Sequence, residues 1–402
     1  MMTGQITALV TAVGGIGVGE QILKALVLVG GYRLVACDID DRTPQFALAD
    51  AAEVLPEAGD PSYLYELFDA CERHDVDIVF VGSEAELAVV SEVREQFADA
   101  GILVAINLAS TVRTCSDKNL TSRFLRARGF AAPRHVLVAR HHDCDGIDWY
   151  PVVVKPCRNG RGSRDCYLAQ DELQLHALLD YLAPQATALM VQEYVGDAAS
   201  EYTVGVLHDL DGNFLNSIAV HRRLDLQLSV RQSARNDSGC PEFGDELIIS
   251  SGVSQGTVGT FPEVTHTCEA IARALDARGP INVQCRLVDG EVVVFEINPR
   301  FSGTTSLRAM VGYNEPDVLI RRHLLGESVP ERFPYRPAMI LRSLREWVVP
   351  APPPVSAFAA VATGGRRPDL VPVAGSGPID VVGGDRRPGG GSESVQDPSP
   401  GA

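Results

Sequence analysis

The sequence lacks the features that mark several common functional classes. Its nine cysteines never lie closer together than nine residues, so there is no CxxC pair, and we expect neither a zinc knuckle nor a dithiol redox motif. It has no basic excess, since 35 Lys and Arg stand against 52 Asp and Glu for a net charge of −17. Surfaces that bind nucleic acid are normally basic, so we expect no DNA or RNA partner.

A long apolar run is also missing at the N-terminus. The apolar stretch there is interrupted by glycines, by Glu20 and by Lys24, and it has no basic leader. We therefore expect a strand, a loop and a helix rather than an export signal or a membrane span. An odd number of scattered cysteines is typical of reduced thiols, which predicts a cytoplasmic protein.

What is present is an ordinary globular composition with an unusual tail. The chain has 402 residues, 45% hydrophobic and 22% charged, which suits two to three domains with real cores. Residues 348–402 are dominated by Pro, Gly, Ala and Ser. Such a segment buries too little apolar surface to offset its ordering entropy, so we predict a disordered tail.

The first 110 residues alternate between strand and helix patterns. Apolar strand candidates at 6–13, 33–40, 77–83 and 102–107 are separated by helical patterns at 20–29, 62–73 and 84–99. This alternation is typical of a doubly wound parallel sheet whose ligand edge lies at the strand C-termini.

A glycine loop follows the first of these strands. It runs from Gly14 to Gly19, but Glu20 stands where the dinucleotide fingerprint G-x-G-x-x-G needs its last glycine. We interpret the loop as a turn that lets the helix pack closely on the strand. Asp38, which ends the second strand, keeps a Rossmann-type oxidoreductase open as an alternative.

After Ser110 the pattern changes to α+β. Helices are predicted at 117–128, 171–182 and 262–277, and antiparallel strands lie between them. The polar, Gly/Ser-rich stretch 225–260 is predicted to be a long mobile loop.

A phosphate-binding pattern lies in the second part of the chain. Lys155 closes the apolar strand PVVVKP, and the glycine-rich loop after it carries Arg158 and Arg161. A point charge, approachable backbone N–H groups and a flexible flap are what a polyphosphate needs. The Walker spacing is absent, and a surface Gly/Arg hairpin is the alternative.

The strand VVVFEINPR ends in two candidate magnesium ligands. Glu296 and Asn298 are two residues apart, so both face one side of the strand. Gln284 in INVQCRLV joins them only with the right turn. A two-residue Asp289-Gly290 turn would put Gln284 on the wrong face, whereas a three-residue loop at 288–290 would make one site. The alternative is a solvated edge hairpin.

Two further carboxylates stand at strand ends. Glu193 lies in VQEYV and Glu201 opens EYTV. Carboxylates at such places accept hydrogen bonds from an adenine amino group or from ribose hydroxyls, although each alone is more often an ordinary loop acid.

The ordered set of these motifs resembles the ATP-grasp superfamily, and most of all one half of the carbamoyl phosphate synthetase large subunit. The resemblance rests on VVVKP, NGRGS, VQEYV, EYTV, and the NVQ…FEINPR pair, and it covers roughly residues 5–346. It implies a Rossmann-like pre-ATP-grasp domain at 1–110 and a two-lobed α+β ATP-grasp domain. The small lobe is predicted at 111–190 and the large lobe at 191–347.

The resemblance also implies roles for individual residues. Nucleotide contacts are expected from Lys118, Lys155, Arg161, Gly162, Ser163, Gln192, Glu193, Val195 and Glu201. Mg²⁺, or Mn²⁺ in its place, is expected on Gln284, Glu296 and Asn298. Arg300 would stabilise charge on the transferred phosphoryl group, and His221 would lie near the phosphates.

The implied activity is that of an ATP-dependent ligase. A carboxylate would be phosphorylated and the acyl phosphate attacked by an amine, with ADP and phosphate released. Small-molecule carboxylate and amine substrates are expected, no membrane partner is expected, and a homo-oligomer is left open. The rivals are a phosphotransferase or carbamate-forming enzyme on the same fold, and a nucleotide-binding regulator without turnover.

Overall fold

The computed structural model describes residues 4–138, 141–158, 165–182 and 188–344. Arg161, Gly162, Ser163 and the predicted tail 348–402 therefore lie outside the described residues. Within the described ranges, no helix is both long and apolar enough to cross a membrane. These ranges all belong to one compact unit, so the domain boundaries at 110, 190 and 347 stay predictions.

The N-terminal part is a five-stranded parallel sheet in the order β3-β2-β1-β4-β5. This architecture confirms the predicted doubly wound α/β domain, and it adds the strand β3, which the sequence pattern did not indicate. The strands are β1 (Thr7–Val10), β2 (Arg33–Asp38), β3 (Ala51–Val54), β4 (Ile78–Phe80) and β5 (Leu103–Val104). The helices around them are α1 (Val18–Val29), α2 (Tyr63–His74), α3 (Glu84–Val90), α4 (Arg94–Asp99) and α5 (Ala109–Ser116).

The glycine loop after β1 is an internally bonded turn. Gly14 N donates to Asp38 Oδ2 over 2.7 Å, and Ile39 N donates to the other oxygen over 2.9 Å. A Cβ on Gly19 would collide with the carbonyl of Thr11, so glycine is required for α1 to pack on β1. The carboxylate that could have marked a dinucleotide site is engaged by backbone, which favours the structural interpretation of the loop.

A small antiparallel sheet of four strands follows, in the order β6-β9-β7-β8. The helix α6 leads into it and α7 packs on one face, where Leu175 and Leu179 are buried against Val152 and Val191. The bounds are α6 (Lys118–Ala127), β6 (His135–Val138), β7 (Val152–Pro156), β8 (Tyr167–Ala169), α7 (Glu172–Leu182) and β9 (Leu189–Glu193).

The largest sheet is antiparallel and six-stranded, in the order β16-β15-β10-β11-β14-β17. One face packs on α8, and on the other face β11 and β14 pack on α10 and the N-terminal domain. The strands are β10 (Glu201–His208), β11 (Phe214–Arg222), β14 (Gly256–Gly259), β15 (Pro280–Val288), β16 (Glu291–Asn298) and β17 (Ala338–Ile340). The helices are α8 (Pro262–Ala274), α9 (Thr305–Met310) and α10 (Glu315–His323).

The stretch 225–260 is not the mobile loop that its polar composition predicted. It contains a two-stranded antiparallel sheet of β12 (Val230–Arg235) and β13 (Glu246–Ser250), and then β14. Leu247 and Ile249 of β13 are buried against Leu168 on β8 and Tyr194, the residue directly after β9. A few apolar anchors spaced two residues apart order this segment, although its average composition is polar.

Candidate functional site

A cleft lies between the four-stranded and six-stranded sheets. The space inside it, counted with the open solvent at its mouth, is about 810 Å³. Most of the predicted nucleotide and metal residues line it: Lys118, Lys155, Gln192, Glu193, Val195, Glu201, Gln284 and Glu296. The structure therefore gathers into one cavity residues that are spread over almost 180 positions of sequence.

Two lysines approach this cleft from one side. Lys155 on β7 is only 6% exposed, and its Nζ donates to Gln192 Oε1 over 2.7 Å. Lys118 is the first residue of α6, beside the N-cap Asp117. Burial, with a contribution from the charge of Lys118, lowers the pKa of Lys155. An anionic ligand would stabilise both ammonium groups.

The β15–β16 hairpin, which carries the predicted metal ligands, has a strand register that the sequence did not indicate. The turn has two residues, Asp289 and Gly290, with φ of 49° and 82°, and Val288 pairs with Glu291. The predicted three-residue loop is therefore wrong. A β-bulge nevertheless leaves Phe295 unpaired, because Cys285 lies opposite Val294 while Gln284 lies opposite Glu296. The bulge reverses the alternation of β16 and brings Gln284 and Glu296 to the same face.

The donor set fits a hard cation. Among the residues that the structure describes, the side chains of Gln284 and Glu296 have no hydrogen-bond or ion-pair partner, and both line the cleft. Asn298 follows on the same strand and lies opposite Asn282. Two amide oxygens and a carboxylate are ligands that magnesium accepts.

Arg300 lies just beyond this strand. Its Nη2 donates to Glu84 Oε1 over 2.6 Å and to Asn298 Oδ1 over 3.2 Å. Next to it is a second pocket of about 430 Å³ between α3, α5, α6 and β16, which shares Lys118, Phe295 and Glu296 with the main cleft. The two cavities thus meet at the lysine and the carboxylate.

The opposite end of the cleft is apolar with polar edges. Val153, Tyr194 and Ile248 line it. Glu193, expected at an adenine hinge, accepts hydrogen bonds from Arg134 N over 3.0 Å and Arg134 Nη2 over 2.7 Å. Burial opposes its charge, but these bonds hold the pKa of Glu193 below its usual range. Its carboxylate is therefore committed to Arg134.

Glu201 is held by two arginines that the sequence interpretation missed as site residues. Its Oε1 accepts from Arg222 Nη1 over 3.0 Å, and its Oε2 accepts from Arg286 Nε and Nη2 over 3.2 and 3.1 Å. Burial is the largest effect on Arg222 and lowers its pKa. Strand alternation in the sequence could have indicated Arg286, because it lies two residues after Gln284 and therefore faces the same side of β15. In the structure it pairs with Glu201.

His221 does not lie near the predicted phosphate site. It pairs with Tyr202 across β10 and β11, and their rings stack with centroids 4.5 Å apart. Tyr202 belongs to the core beneath α8, whereas Glu201, its neighbour on the strand, faces the cleft. His221 Nε2 donates to the carbonyl of Ala199 over 2.6 Å. His221 thus lies on the face of the sheet opposite to Glu201, whereas Arg222, the next residue of β11, bonds to Glu201.

Two known families match parts of the chain. Residues 11–105 match the family described as PylC-like, N-terminal domain, and residues 185–346 match the family described as ATP-grasp in the biosynthetic pathway with Ter operon. The carbamoyl phosphate synthase large chain of Mesorhizobium japonicum is 26% identical over 253 residues, which are 60% of this chain and 21% of that protein. The chain thus spans about a fifth of that relative, and the resemblance inferred from the sequence is confirmed.

Solved structures share the fold at low identity. The ADP complex of purK, N5-carboxyaminoimidazole ribonucleotide synthetase, has a TM-score of 0.59 at 14% identity and covers 84% of this chain and 81% of that chain. The biotin carboxylase domain of the Hydrogenobacter thermophilus 2-oxoglutarate carboxylase, solved with MgADP, ADP and bicarbonate, has a TM-score of 0.55 at 15% identity. It covers 82% of this chain and 70% of that chain. The predicted fold class is confirmed.

Proposed function

We propose that this chain, which contains an ATP-grasp domain over residues 185–346, is an ATP-dependent ligase that phosphorylates a carboxylate and joins the acyl phosphate to an amine. One observation carries the proposal. Lys118 and Lys155 face Gln284 and Glu296 across a single cleft, so cations for a polyphosphate and oxygen ligands for a metal surround the same space.

The nucleotide is proposed to lie along the cleft. The lysines would bind its phosphates, and Arg161, Gly162 and Ser163 would fold over them. The adenine would rest against the apolar end beside Gln192, Glu193 and Val195, with Glu193 contributing backbone groups because its carboxylate is bound by Arg134. Glu201 would accept from a ribose hydroxyl.

Mg²⁺, or Mn²⁺ in its place, is the cofactor that the donor set fits. Gln284, Glu296 and Asn298 would hold it, and it would neutralise charge on the transferred phosphoryl group. Arg300 lies beside Asn298 and adds a fixed guanidinium charge there. These residues then work by positioning and by charge stabilisation rather than by covalent chemistry.

The second pocket is the proposed place for the carboxylate. It adjoins the nucleotide cleft at Lys118 and Glu296, so a carboxylate there would approach the terminal phosphate. Its other walls include Leu87 and Cys115. A small carboxylic acid is the proposed substrate, and the amine would attack after the phosphoryl group has moved.

The cytoplasm is the proposed setting for this activity. All nine cysteines are free thiols, and most of them are buried. Unpaired buried thiols are typical of proteins in a reducing compartment.

Trapping the acyl phosphate tests this function. Purified protein would be given ATP, magnesium and a panel of amino and other carboxylic acids with hydroxylamine in place of the natural amine. A ligase yields hydroxamate and ADP in equal amounts, because hydroxylamine attacks the anhydride. ADP without hydroxamate would instead identify a phosphotransferase, and neither product from the full panel would favour a regulator.

Bicarbonate is the second candidate acceptor. The biotin carboxylase domain with the same fold was solved with bicarbonate. Carbamate formation on this chain would make ADP release depend on added bicarbonate and not on an organic acid. Omitting bicarbonate from degassed buffer separates the two activities.

A further inference from the structure

We propose that Arg286 is a positioning residue that fixes Glu201 against the nucleoside and so sets the discrimination between ATP and its deoxyribose analogues. This inference rests on the proposed function, because it takes the ligand of the cleft to be ATP. Arg286 was not singled out in the sequence, and its role follows from how its hydrogen bonds are distributed.

Every N–H of the Arg286 guanidinium has an acceptor in the protein. Nε and Nη2 donate to Glu201 Oε2, and Nη2 also donates to the carbonyl of Ile248 over 3.0 Å. Nη1 donates to the carbonyls of Val195 and Gly196, each over 3.1 Å. Arginine has five N–H donors, so the side chain has none left for a ligand. It acts on the ligand through the groups it holds.

Those groups come from three different walls of the cleft. Val195 and Gly196 follow β9, Glu201 begins β10, and Ile248 lies in β13. The guanidinium also lies 4.5 Å from the ring centroid of Tyr194, whose hydroxyl accepts from Ile248 N over 2.9 Å. One buried side chain therefore bonds to the backbone that follows β9, to the carboxylate of Glu201 and to the β12–β13 sheet.

The arginines leave one acceptor position on Glu201 for a ligand. Oε2 receives two bonds from Arg286, and Oε1 receives one from Arg222. A carboxylate oxygen offers two lone pairs, so a single position remains on Oε1. Glu201 is 1% exposed yet lines the cleft. A hydroxyl can fill this position, and its absence would leave a buried acceptor unpaired, which sites of this kind reject strongly.

Arg286→Lys tests the positioning role. Lysine keeps the positive charge, but its point-like ammonium has three donors and cannot reproduce the planar fork. We expect wild-type protein to bind ATP at least roughly tenfold more tightly than 2′-deoxy-ATP or 3′-deoxy-ATP. In the lysine variant, this ratio should fall toward one, with weaker ATP binding and kcat changed by less than about threefold.

The matched control is Arg308→Lys. Arg308 is another fully buried arginine facing the same side of the six-stranded sheet, but it bonds to Glu315 and Asn282 near the predicted metal ligands. This variant should lower kcat and keep the ATP preference. If both arginine variants lose the preference equally, general loosening of the sheet explains the effect and the proposal is overturned.

Binding measured by calorimetry without any carboxylate separates this inference from the proposed function. Wild-type protein that binds no ATP contradicts the proposed function itself. Wild-type protein that binds ATP without preferring the ribose form, or a lysine variant with the wild-type preference, overturns only the inference. Arg286→Gln is the second variant, and if neither variant folds by thermal melting, Arg286 is structural alone and the proposal also fails.

Discussion

The two faces of the six-stranded sheet carry opposite chemistry along the same strands. On the cleft face, β10 and β15 present Glu201, Thr203, Gln284 and Arg286. On the other face, Tyr202 and Cys285 pack beneath α8. Neighbouring residues thus belong to a binding site and to a core, and the strict alternation of a strand is what separates them. Whether a residue of these strands faces the cleft or the core therefore depends on its place in the alternation, and a shift of the strand by one residue would exchange the two faces.

The largest effect is predicted for a substitution on the cleft face at Glu296, the proposed metal ligand. Glu296→Gln keeps the side-chain shape but removes the charge that a magnesium ion needs. Turnover should fall by roughly a hundredfold or more, while the nucleoside end retains weak ATP binding. Glu291→Gln is the control, since Glu291 begins the same strand and is exposed. Unchanged ADP release in the Glu296 variant would remove the metal assignment.

The next effect is on stability and concerns a buried ion pair on the same side of the six-stranded sheet as the cleft. Arg308 and Glu315 are fully buried and 3.2 Å apart, and a Cβ on Gly205 would collide with the guanidinium. Arg308→Met leaves Glu315 buried and unpaired, which should cost about 3–5 kcal/mol in urea unfolding. Adding Glu315→Gln should recover part of this loss. A double variant less stable than the single one would contradict the charge argument.

The third prediction concerns acid stability and lies on the core face. Burial lowers the pKa of His208 to about 4, with Arg273 adding to the effect and Asp209, Glu269 and Asp276 opposing it. The unfolded chain takes up a proton near pH 6.5 and the folded one only near 4. The protonation of His208 therefore does not affect the free energy of unfolding above about pH 6.5. As the pH falls from there toward 4, it lowers this free energy by about 3 kcal/mol.

His208→Leu should remove this part of the pH dependence. Unfolding in urea at pH 7 and pH 4.5 measures it, with His266→Gln as the control because His266 is exposed on α8. The same slope in wild type and in the leucine variant would assign the acid sensitivity to other groups.

The smallest effect is predicted for His221. Because it stacks on Tyr202 on the core face, His221→Ala should change turnover by less than about threefold and cost about 1 kcal/mol in stability. Arg222→Ala, one residue later, should impair nucleotide binding clearly. If the alanine variant of His221 abolished turnover with its fold intact, the assignment of the two faces would be reversed.

Comparison of the sequence predictions with the structure shows where local pattern is sufficient. The α2 prediction at 62–73 and the α6 prediction at 117–128 agree with Tyr63–His74 and Lys118–Ala127 to about one residue. The predicted helix at 84–99 is instead two helices, α3 and α4, joined by a tight turn at Ser91–Val93. The cleft between the four-stranded and six-stranded sheets gathers eight predicted ligands, and most of them lie on strands of these two sheets.

Other features could not be read from the sequence. The bulge at Phe295 carries no glycine and no composition signal, yet it decides whether Gln284 faces Glu296. The segment 230–250, which forms β12 and β13, has a polar average composition. Its Leu247 and Ile249 contact an apolar surface only in the folded protein. Both outcomes depend on contacts between segments distant along the chain.

The sequence by itself determined the fold class, because strand alternation and turn residues are local properties. It also predicted the two lysines of the cleft and the metal ligands of β15 and β16, with the help of the resemblance to the ATP-grasp superfamily. Only the tertiary structure decided which face each residue occupies. It placed His221 beside Tyr202 on the face beneath α8, brought Gln284 to Glu296 through a bulge, and surrounded Arg286 with four acceptor oxygens from three walls of the cleft. The face that each side chain occupies is set by the register of its strand against the neighbouring strands, and this register depends on both strands of a pair rather than on either one alone.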